Sequence, residues 1–270
     1  MKLNQLHFLS LKQAMTYLPH IIGIIYFAMS ACLLNLYMGR DCKIPLSISY
    51  LRIIGLFLFT IFVFDLAYPF NVFSFVSALF ITLFVINIFY IVLNYYQSID
   101  YIGLILNPII FISLILYLTL NFSSTGTEVE KNLYIHIVFS LASYGFLMLA
   151  GMQALILKYQ ISSVKNIHNS TILNPFPPIE EMGGIMYKLI IIGFILLTLS
   201  LLSGLPYTSS KSDMDIEQKI LFSIIAWITF LYLIVKKSYY GIKDIAAANM
   251  TIGGLIFLLL SYLGTKLLIN

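Results

Sequence analysis

Four histidines are the side chains of this 270-residue chain best suited to bind a metal: His7, His20, His136 and His168. His136 is followed at helical spacing by Ser140, Ser143 and Tyr144, so in a helix these four side chains share one face. A neutral imidazole can ligate haem iron or another metal. The residues alone leave two hypotheses for His136. It is a ligand that faces a protected pocket, or it is hydrogen-bonded to a neighbouring helix or to water.

The other histidines are weaker candidates. His20 lies at the start of an apolar run, where it is either a second haem ligand or an interfacial anchor. Six-coordinate haem needs two axial ligands, which a pair of His20 and His136 would supply, and Met214 is another conceivable partner of His136. Two histidines are predicted in hydrated segments, His7 in the N-terminal tail and His168 in a loop.

The two cysteines, Cys32 and Cys42, lie ten residues apart without a CxxC or CxxCH motif. This spacing excludes a disulfide scaffold, a four-cysteine zinc site and covalent c-type haem on this chain.

The sequence also contains no glycine-rich phosphate loop, no HExxH motif and no serine–histidine–aspartate set. We therefore expect neither a hydrolase nor an ATP-driven pump, no metal site besides haem iron, and no catalysis.

The elements that position these residues are predicted to be membrane helices. Hydrophobic residues make up 60% of the chain, charged residues make up 10%, and the mean hydropathy is +0.97. A soluble domain carries about 25% charged residues. The composition predicts an all-α polytopic membrane bundle that forms one integral membrane domain over residues 1–270. The net charge of +4 is no argument for a nucleic-acid partner.

Apolar runs of about 20 residues predict eight transmembrane helices. They cover residues 18–38, 49–68, 71–95, 102–120, 133–158, 184–205, 218–235 and 245–269. The N-terminal tail, 1–17, alternates polar and apolar residues, and this pattern is as typical of a short interfacial helix as of a solvated tail. The longest predicted loop, about 159–183, contains prolines that cannot extend the fifth helix.

The distribution of lysine and arginine predicts the orientation in the membrane. With the N-terminus outside, nine of the fifteen basic residues lie on the inner side, as the positive-inside rule favours. Eight spans then place both termini outside and His136 near the outer face of the membrane.

The second half of the chain resembles the cytochrome c assembly (CcsA-like) membrane proteins, and most closely their YpjD/HemX branch. The similarity covers residues 133–268 and rests on segments that occur in the same order: 136–150 (HIVFSLASYGFLMLA), 177–182 (PPIEEM), 192–199 (IGFILLTL) with Ser203-Gly204, 223–227 (SIIAW) and 260–266 (LSYLGTK). Each motif is loose, but their order and spacing make the set specific.

The resemblance implies eight helices, a bacterial inner (plasma) membrane and haem handling at the outer face during cytochrome c maturation, with other maturation proteins as partners. His136 is the position that matches a family histidine. The chain departs from the wider family in having one tryptophan, Trp227, and no tryptophan-rich loop. Gln218-Lys219 also opens the seventh helix where many relatives have a histidine beside the lysine.

These observations predict a membrane protein that binds and positions haem b non-covalently and assists cytochrome c assembly or haem homeostasis. The candidate ligands are His136 and His20, and the candidate contacts are Ser140, Ser143 and Tyr144. Two alternatives stay open. One is an accessory or regulatory membrane protein without haem that acts through partner contacts. The other is a small-solute or metal-ion transporter, which is expected to carry several ionisable residues within its spans.

Overall fold

The computed structural model of the chain describes residues 2–38, 45–68, 72–120, 127–128, 133–165, 176–208 and 214–267, and this part is almost entirely helical. The helices are α1 (Lys2–Tyr37), α2 (Pro45–Ala67), α3 (Phe75–Gln97), α4 (Gly103–Thr119), α5 (Tyr134–Lys165), α6 (Ile179–Thr208), α7 (Met214–Tyr239) and α8 (Asp244–Leu267). A 3-10 turn, Asp100–Ile102, precedes α4. Two short strands, β1 (Val72–Phe73) and β2 (Thr127–Glu128), pair antiparallel with Val72 opposite Glu128. The predicted all-α class is confirmed.

In the part of the chain that the structure describes, eight helices each contain a segment long and apolar enough to cross a membrane. The segments begin with Thr16–Tyr37 and end with Asp244–Ser261. A helix satisfies its own backbone hydrogen bonds, which hydrocarbon requires of any spanning segment. Large apolar side chains such as Ile24, Phe57 and Val138 are exposed along these helices, as contact with a lipid bilayer demands. The prediction of a polytopic bundle of eight transmembrane helices is confirmed.

Two segments predicted outside the spans are partly helical. The backbone of the tail is one continuous helix with the first span, because α1 begins at Lys2 and passes through Pro19. The loop predicted at 159–183 is shorter at both ends, since α5 continues to Lys165 and α6 begins at Ile179. Prolines immediately before α6 and two glutamates in its first turn favour a helix start there, because carboxylates stabilise the positive end of the helix dipole.

The chain divides into two compact units, residues 1–129 and 130–270. In the first unit α1 packs against α2 and α4, and α2 packs against α3. In the second unit α5 packs along α6 and against α8, and α7 packs against α6 and α8. The single membrane domain over 1–270 stays a prediction.

Close helix packing in the second unit depends on a glycine at the contact of α5 with α6. A Cβ atom on Gly193 would lie 2.7 Å from Cγ of Leu147, closer than side chains approach one another. Small residues of this kind let membrane helices come together where the apolar surroundings give no hydrophobic driving force. The tight α5–α6 pair is what brings the His136 side chain against α6.

Candidate functional site

His136 lies near the start of α5, and its imidazole contacts the backbone of α6. Its Nδ1 atom is 2.8 Å from the carbonyl oxygen of Ser200. A carbonyl oxygen accepts hydrogen bonds and has no hydrogen to donate, so Nδ1 carries the proton and donates it to Ser200. In the neutral imidazole, Nε2 then keeps its lone pair. Nε2 is therefore the nitrogen of this ring that is able to ligate a metal.

Two serines surround this imidazole. The Oγ of Ser140 donates to the His136 carbonyl oxygen at 2.7 Å and lies 2.6 Å from Oγ of Ser200. Its distance to Nε2 of His136 is 3.4 Å, which is long for a hydrogen bond. The hydroxyl of Ser203 donates to the Ser200 carbonyl at 2.9 Å. Nε2 is thus the least engaged polar atom of the group.

Gly204 makes the contact of His136 with α6 possible. A Cβ atom at position 204 would lie 2.9 Å from Cε1 and 3.0 Å from Nδ1 of His136. Because glycine has no side chain, the imidazole can approach α6 closely enough to reach the Ser200 carbonyl. We refer to His136, Ser140, Ser200, Ser203 and Gly204 as the His136 cluster.

The structure brings Ser140 to His136 but gives Ser143 and Tyr144 other neighbours. Ser143 is buried and donates to the Gly193 carbonyl of α6 at 3.2 Å. The side chain of Tyr144 hydrogen-bonds with Ser261 of α8. Because α5 packs against both α6 and α8, the side chains of the predicted face contact two different helices. A role of Ser143 and Tyr144 in ligand contact stays a prediction.

His20 is exposed on α1 in the first unit, with its ring centroid 6.5 Å from that of Tyr17. Since His20 and His136 belong to different units, their pairing on one haem stays a prediction. Within the part of the chain that the structure describes, no three or more His, Cys, Asp or Glu residues form a group able to hold a metal ion. The side chains of three further candidates lie outside the described residues: His7, His168 and Met214.

A second polar group lies at the same end of the second unit, where α5 and α7 begin and α6 and α8 end. The hydroxyls of Ser223 and Ser261 are 2.6 Å apart, and Ser261 also donates to the Lys219 carbonyl at 3.0 Å. Oε1 of Gln218 is buried there without a hydrogen-bond partner among the described residues. The polar groups of four helices therefore collect at the end of the unit that carries His136.

Sequence reasoning alone does not identify Ser200 or Gly204 as neighbours of His136. Both lie more than sixty residues away along the chain, and serine and glycine are ordinary in membrane helices. The sequence near the end of α6 is rich in small and hydroxylated residues, but this pattern does not indicate that they contact His136.

A profile of the family described as Cytochrome C assembly protein matches residues 44–270, well over half of the chain. The inner membrane protein YpjD of Escherichia coli K12 is 29% identical over 173 residues, and this region covers 61% of this chain and 64% of that protein. The YpjD proteins of the O6:H1 and O157:H7 strains match to the same extent.

The match thus spans somewhat less than two thirds of the length of these relatives. No solved structure matches the chain significantly. The predicted resemblance to the cytochrome c assembly family is confirmed by the profile.

Proposed function

This chain belongs to the cytochrome c assembly protein family, and we propose that it is a haem-handling membrane protein that assists cytochrome c assembly or haem homeostasis. Family membership supports a role in cytochrome c biogenesis. The proposed action is to bind and position haem, without catalysis. The observation that carries the proposal is the hydrogen bond from Nδ1 of His136 to the Ser200 carbonyl, which leaves the lone pair on Nε2, whose nearest polar neighbour is the Ser140 hydroxyl at 3.4 Å.

The His136 cluster would supply one iron ligand to non-covalent haem b. Nε2 of His136 would bind the iron, and the haem would supply a redox-active metal centre. The bond from Nδ1 to Ser200 would hold the imidazole in one tautomer and orientation and raise its basicity, as second-sphere hydrogen bonds do for metal-bound histidines. Gly204 would keep the ring against α6. His20 stays the weaker candidate for a second ligand.

The fold and the relatives support a location in the inner membrane, and the distribution of basic residues supports the orientation. Eight apolar helices need a bilayer, and the matched Escherichia coli relative is called an inner membrane protein. We infer a bacterial inner membrane, with both termini outside and His136 near the outer face. Other cytochrome maturation proteins are the expected partners.

One observation favours a second candidate function. The contacts of His136 with Ser200 and Gly204 join α5 to α6, and this structural role needs no iron. A protein with such a histidine would act as an accessory or regulatory protein through contacts with partners. It would carry no chromophore and would remain in a stable complex in mild detergent.

An absorbance spectrum separates the two candidates. The protein is expressed with adequate haem, purified in detergent and compared with His136→Ala and, as the matched control, His20→Ala. We expect a near-stoichiometric Soret band in the wild type that is largely retained in His20→Ala and weakened or shifted in His136→Ala.

Three other results would count against parts of the proposal. A Soret band that His136→Ala leaves unchanged would remove His136 as the ligand while keeping haem handling. A loss in His20→Ala equal to that in His136→Ala would make the two histidines equal ligands. Folded proteins with no Soret band in any sample would favour the accessory function.

A further inference from the structure

The first unit contains a cluster of polar side chains that haem handling does not use. Nη1 of Arg52, on α2, lies 2.5 Å from Oδ1 of Asp100 in the 3-10 turn before α4. Asn94, near the end of α3, donates from Nδ2 to the same oxygen at 2.9 Å. The guanidinium carbon of Arg52 is 5.4 Å from the ring centroid of Tyr90. We call these four residues the Arg52 cluster.

The hydrogen bonds of the Arg52 cluster are incomplete. The Arg52 side chain is 8% exposed, yet its Nε and Nη2 atoms are buried and have no partner among the described residues. These nitrogens share one edge of the planar guanidinium, and such an edge binds carboxylate or phosphate oxygens in pairs. Oδ1 of Asn94, an acceptor, is also buried without a described partner. Unpaired buried groups destabilise a fold, so this arrangement indicates a ligand with both acceptors and N–H donors.

The Arg52 cluster lies near one end of the membrane segments of the first unit. Arg52 is the fifth residue of the membrane segment Ile48–Ala67, about 6 Å along the helix axis from its start. Three strongly exposed tyrosines occur at the same end of the unit, Tyr50 on α2 and Tyr95 and Tyr96 at the end of α3. Exposed tyrosines are typical of the boundary between membrane and water. The Asp100 side chain is 43% exposed, so the Arg52 cluster is accessible from outside the protein at Asp100.

We propose that the Arg52 cluster binds the headgroup of a zwitterionic phospholipid with a primary ammonium, of the phosphoethanolamine type. The phosphate oxygens accept hydrogen bonds from Nε and Nη2 of Arg52. The ammonium group donates to Oδ1 of Asn94 and to the Asp100 carboxylate. The positive charge of Arg52 thus lies against the phosphate, and the negative charge of Asp100 lies against the ammonium group.

Other phospholipids match the Arg52 cluster less well. Phosphatidylglycerol has the phosphate but no ammonium, and it brings an uncompensated negative charge near Asp100. Phosphatidylcholine has a quaternary ammonium that cannot donate an N–H hydrogen bond to Asn94. We therefore expect the Arg52 cluster to prefer the phosphoethanolamine headgroup, in addition to having a general affinity for lipid.

Native mass spectrometry of the delipidated protein tests the selection. The protein is titrated with phosphatidylethanolamine, phosphatidylcholine and phosphatidylglycerol of identical acyl chains. We expect phosphatidylethanolamine to bind about tenfold more tightly than the other two, the factor that one charge-assisted hydrogen bond contributes. Equal binding of the three lipids would overturn the proposal. Displacement of phosphatidylethanolamine by inorganic phosphate would identify a site for a soluble oxyanion and overturn the assignment to lipid.

Variants locate the site. Arg52→Gln removes the charged donor edge, and Asn94→Leu removes the acceptor while leaving the Arg52–Asp100 pair. We expect both to reduce the preference for phosphatidylethanolamine to the level of the other lipids. The matched control, Lys237→Gln, breaks the 2.8 Å ion pair with Asp244 in the second unit and is expected to leave the preference unchanged. If Arg52→Gln does not fold, Asn94→Leu decides the matter, and an unchanged preference in that variant would refute the site.

Discussion

At the scale of single residues, the chemistry of the candidate haem site depends on which nitrogen of His136 carries the proton. The Ser200 carbonyl settles this, because it can only accept, and it thereby assigns the lone pair to Nε2. Gly204 contributes because it has no side chain, and any side chain at that position would overlap with the imidazole of His136. Metal-bound histidines almost always donate their second ring N–H in this way, which fixes the tautomer and the orientation of the ring.

The Gly204→Ala variant tests this geometry. The added methyl group would collide with the imidazole at 2.9 Å and push the ring away from the Ser200 carbonyl. We expect a loss of about 1–3 kcal/mol in the free energy of unfolding, the usual cost of overpacking. We also expect a weakened or shifted Soret band. Thermal unfolding followed by circular dichroism, together with absorbance, measures both effects.

Gly184→Ala is the control for that experiment. Gly184 lies on the same helix, and a Cβ atom there meets nothing within 4 Å. This variant should be neutral or slightly stabilising, because alanine is favoured over glycine in a helix by roughly 0.5–1 kcal/mol. Equal behaviour of the two alanine variants would show that the imidazole does not rest against α6.

At the scale of helices, α5 and α6 form an antiparallel pair joined by polar contacts along its length. Beyond His136 and Ser143, Nε2 of Gln153 donates to the Met182 carbonyl at 3.1 Å, and Nε2 of Gln160 donates to the Pro177 carbonyl at 2.9 Å. All of these bonds end on backbone carbonyls. In lipid, such bonds and small residues hold helices together because the tails of the lipids are as apolar as the side chains.

The Gln153→Leu variant tests the contribution of these contacts. Loss of the hydrogen bond to Met182 should reduce the free energy of unfolding by about 0.6–2 kcal/mol, the range of interhelical hydrogen bonds in membranes. Leu155→Ala, at an exposed position of the same helix, should change it much less. Unfolding in detergent measures both variants. An effect of Gln153→Leu no larger than that of Leu155→Ala would show that apolar packing alone joins α5 to α6.

At the scale of the whole molecule, two helical units follow one another along a chain that lipid must surround. The described residues include eight helical segments apolar enough to cross a bilayer, and basic residues between such segments bias the direction of insertion. The orientation matters for the proposed function, because it decides whether His136 lies near the outer or the inner side of the membrane.

Reporter fusions test the orientation. With nine of the fifteen basic residues on the inner side, alkaline phosphatase fused after Asn270 should be active. The same reporter fused after His168, in the predicted inner loop, should be inactive. The reverse pattern would place the termini and His136 on the inner side.

Much of this architecture was predictable from the sequence because membrane insertion depends on local quantities. Hydropathy over about 20 residues identifies each span, and all eight were found in this way. The helix ends were less accurate at 159–183, where α5 and α6 extend into a polar segment that hydropathy assigns to a loop. His136 was singled out because a polar residue in hydrocarbon is costly and needs a reason.

The helices and the candidate ligand His136 could be inferred from the order of the amino acids. Which face of each helix contacts its neighbours became known from the packed helices. In a soluble helix a polar face marks the outside, but here lipid-facing and buried faces are both apolar, so the pattern does not give the rotation of a helix about its axis. The pairing of His136 with Ser200 and of Arg52 with Asp100 depends on that rotation, and the packed helices alone bring these residues together.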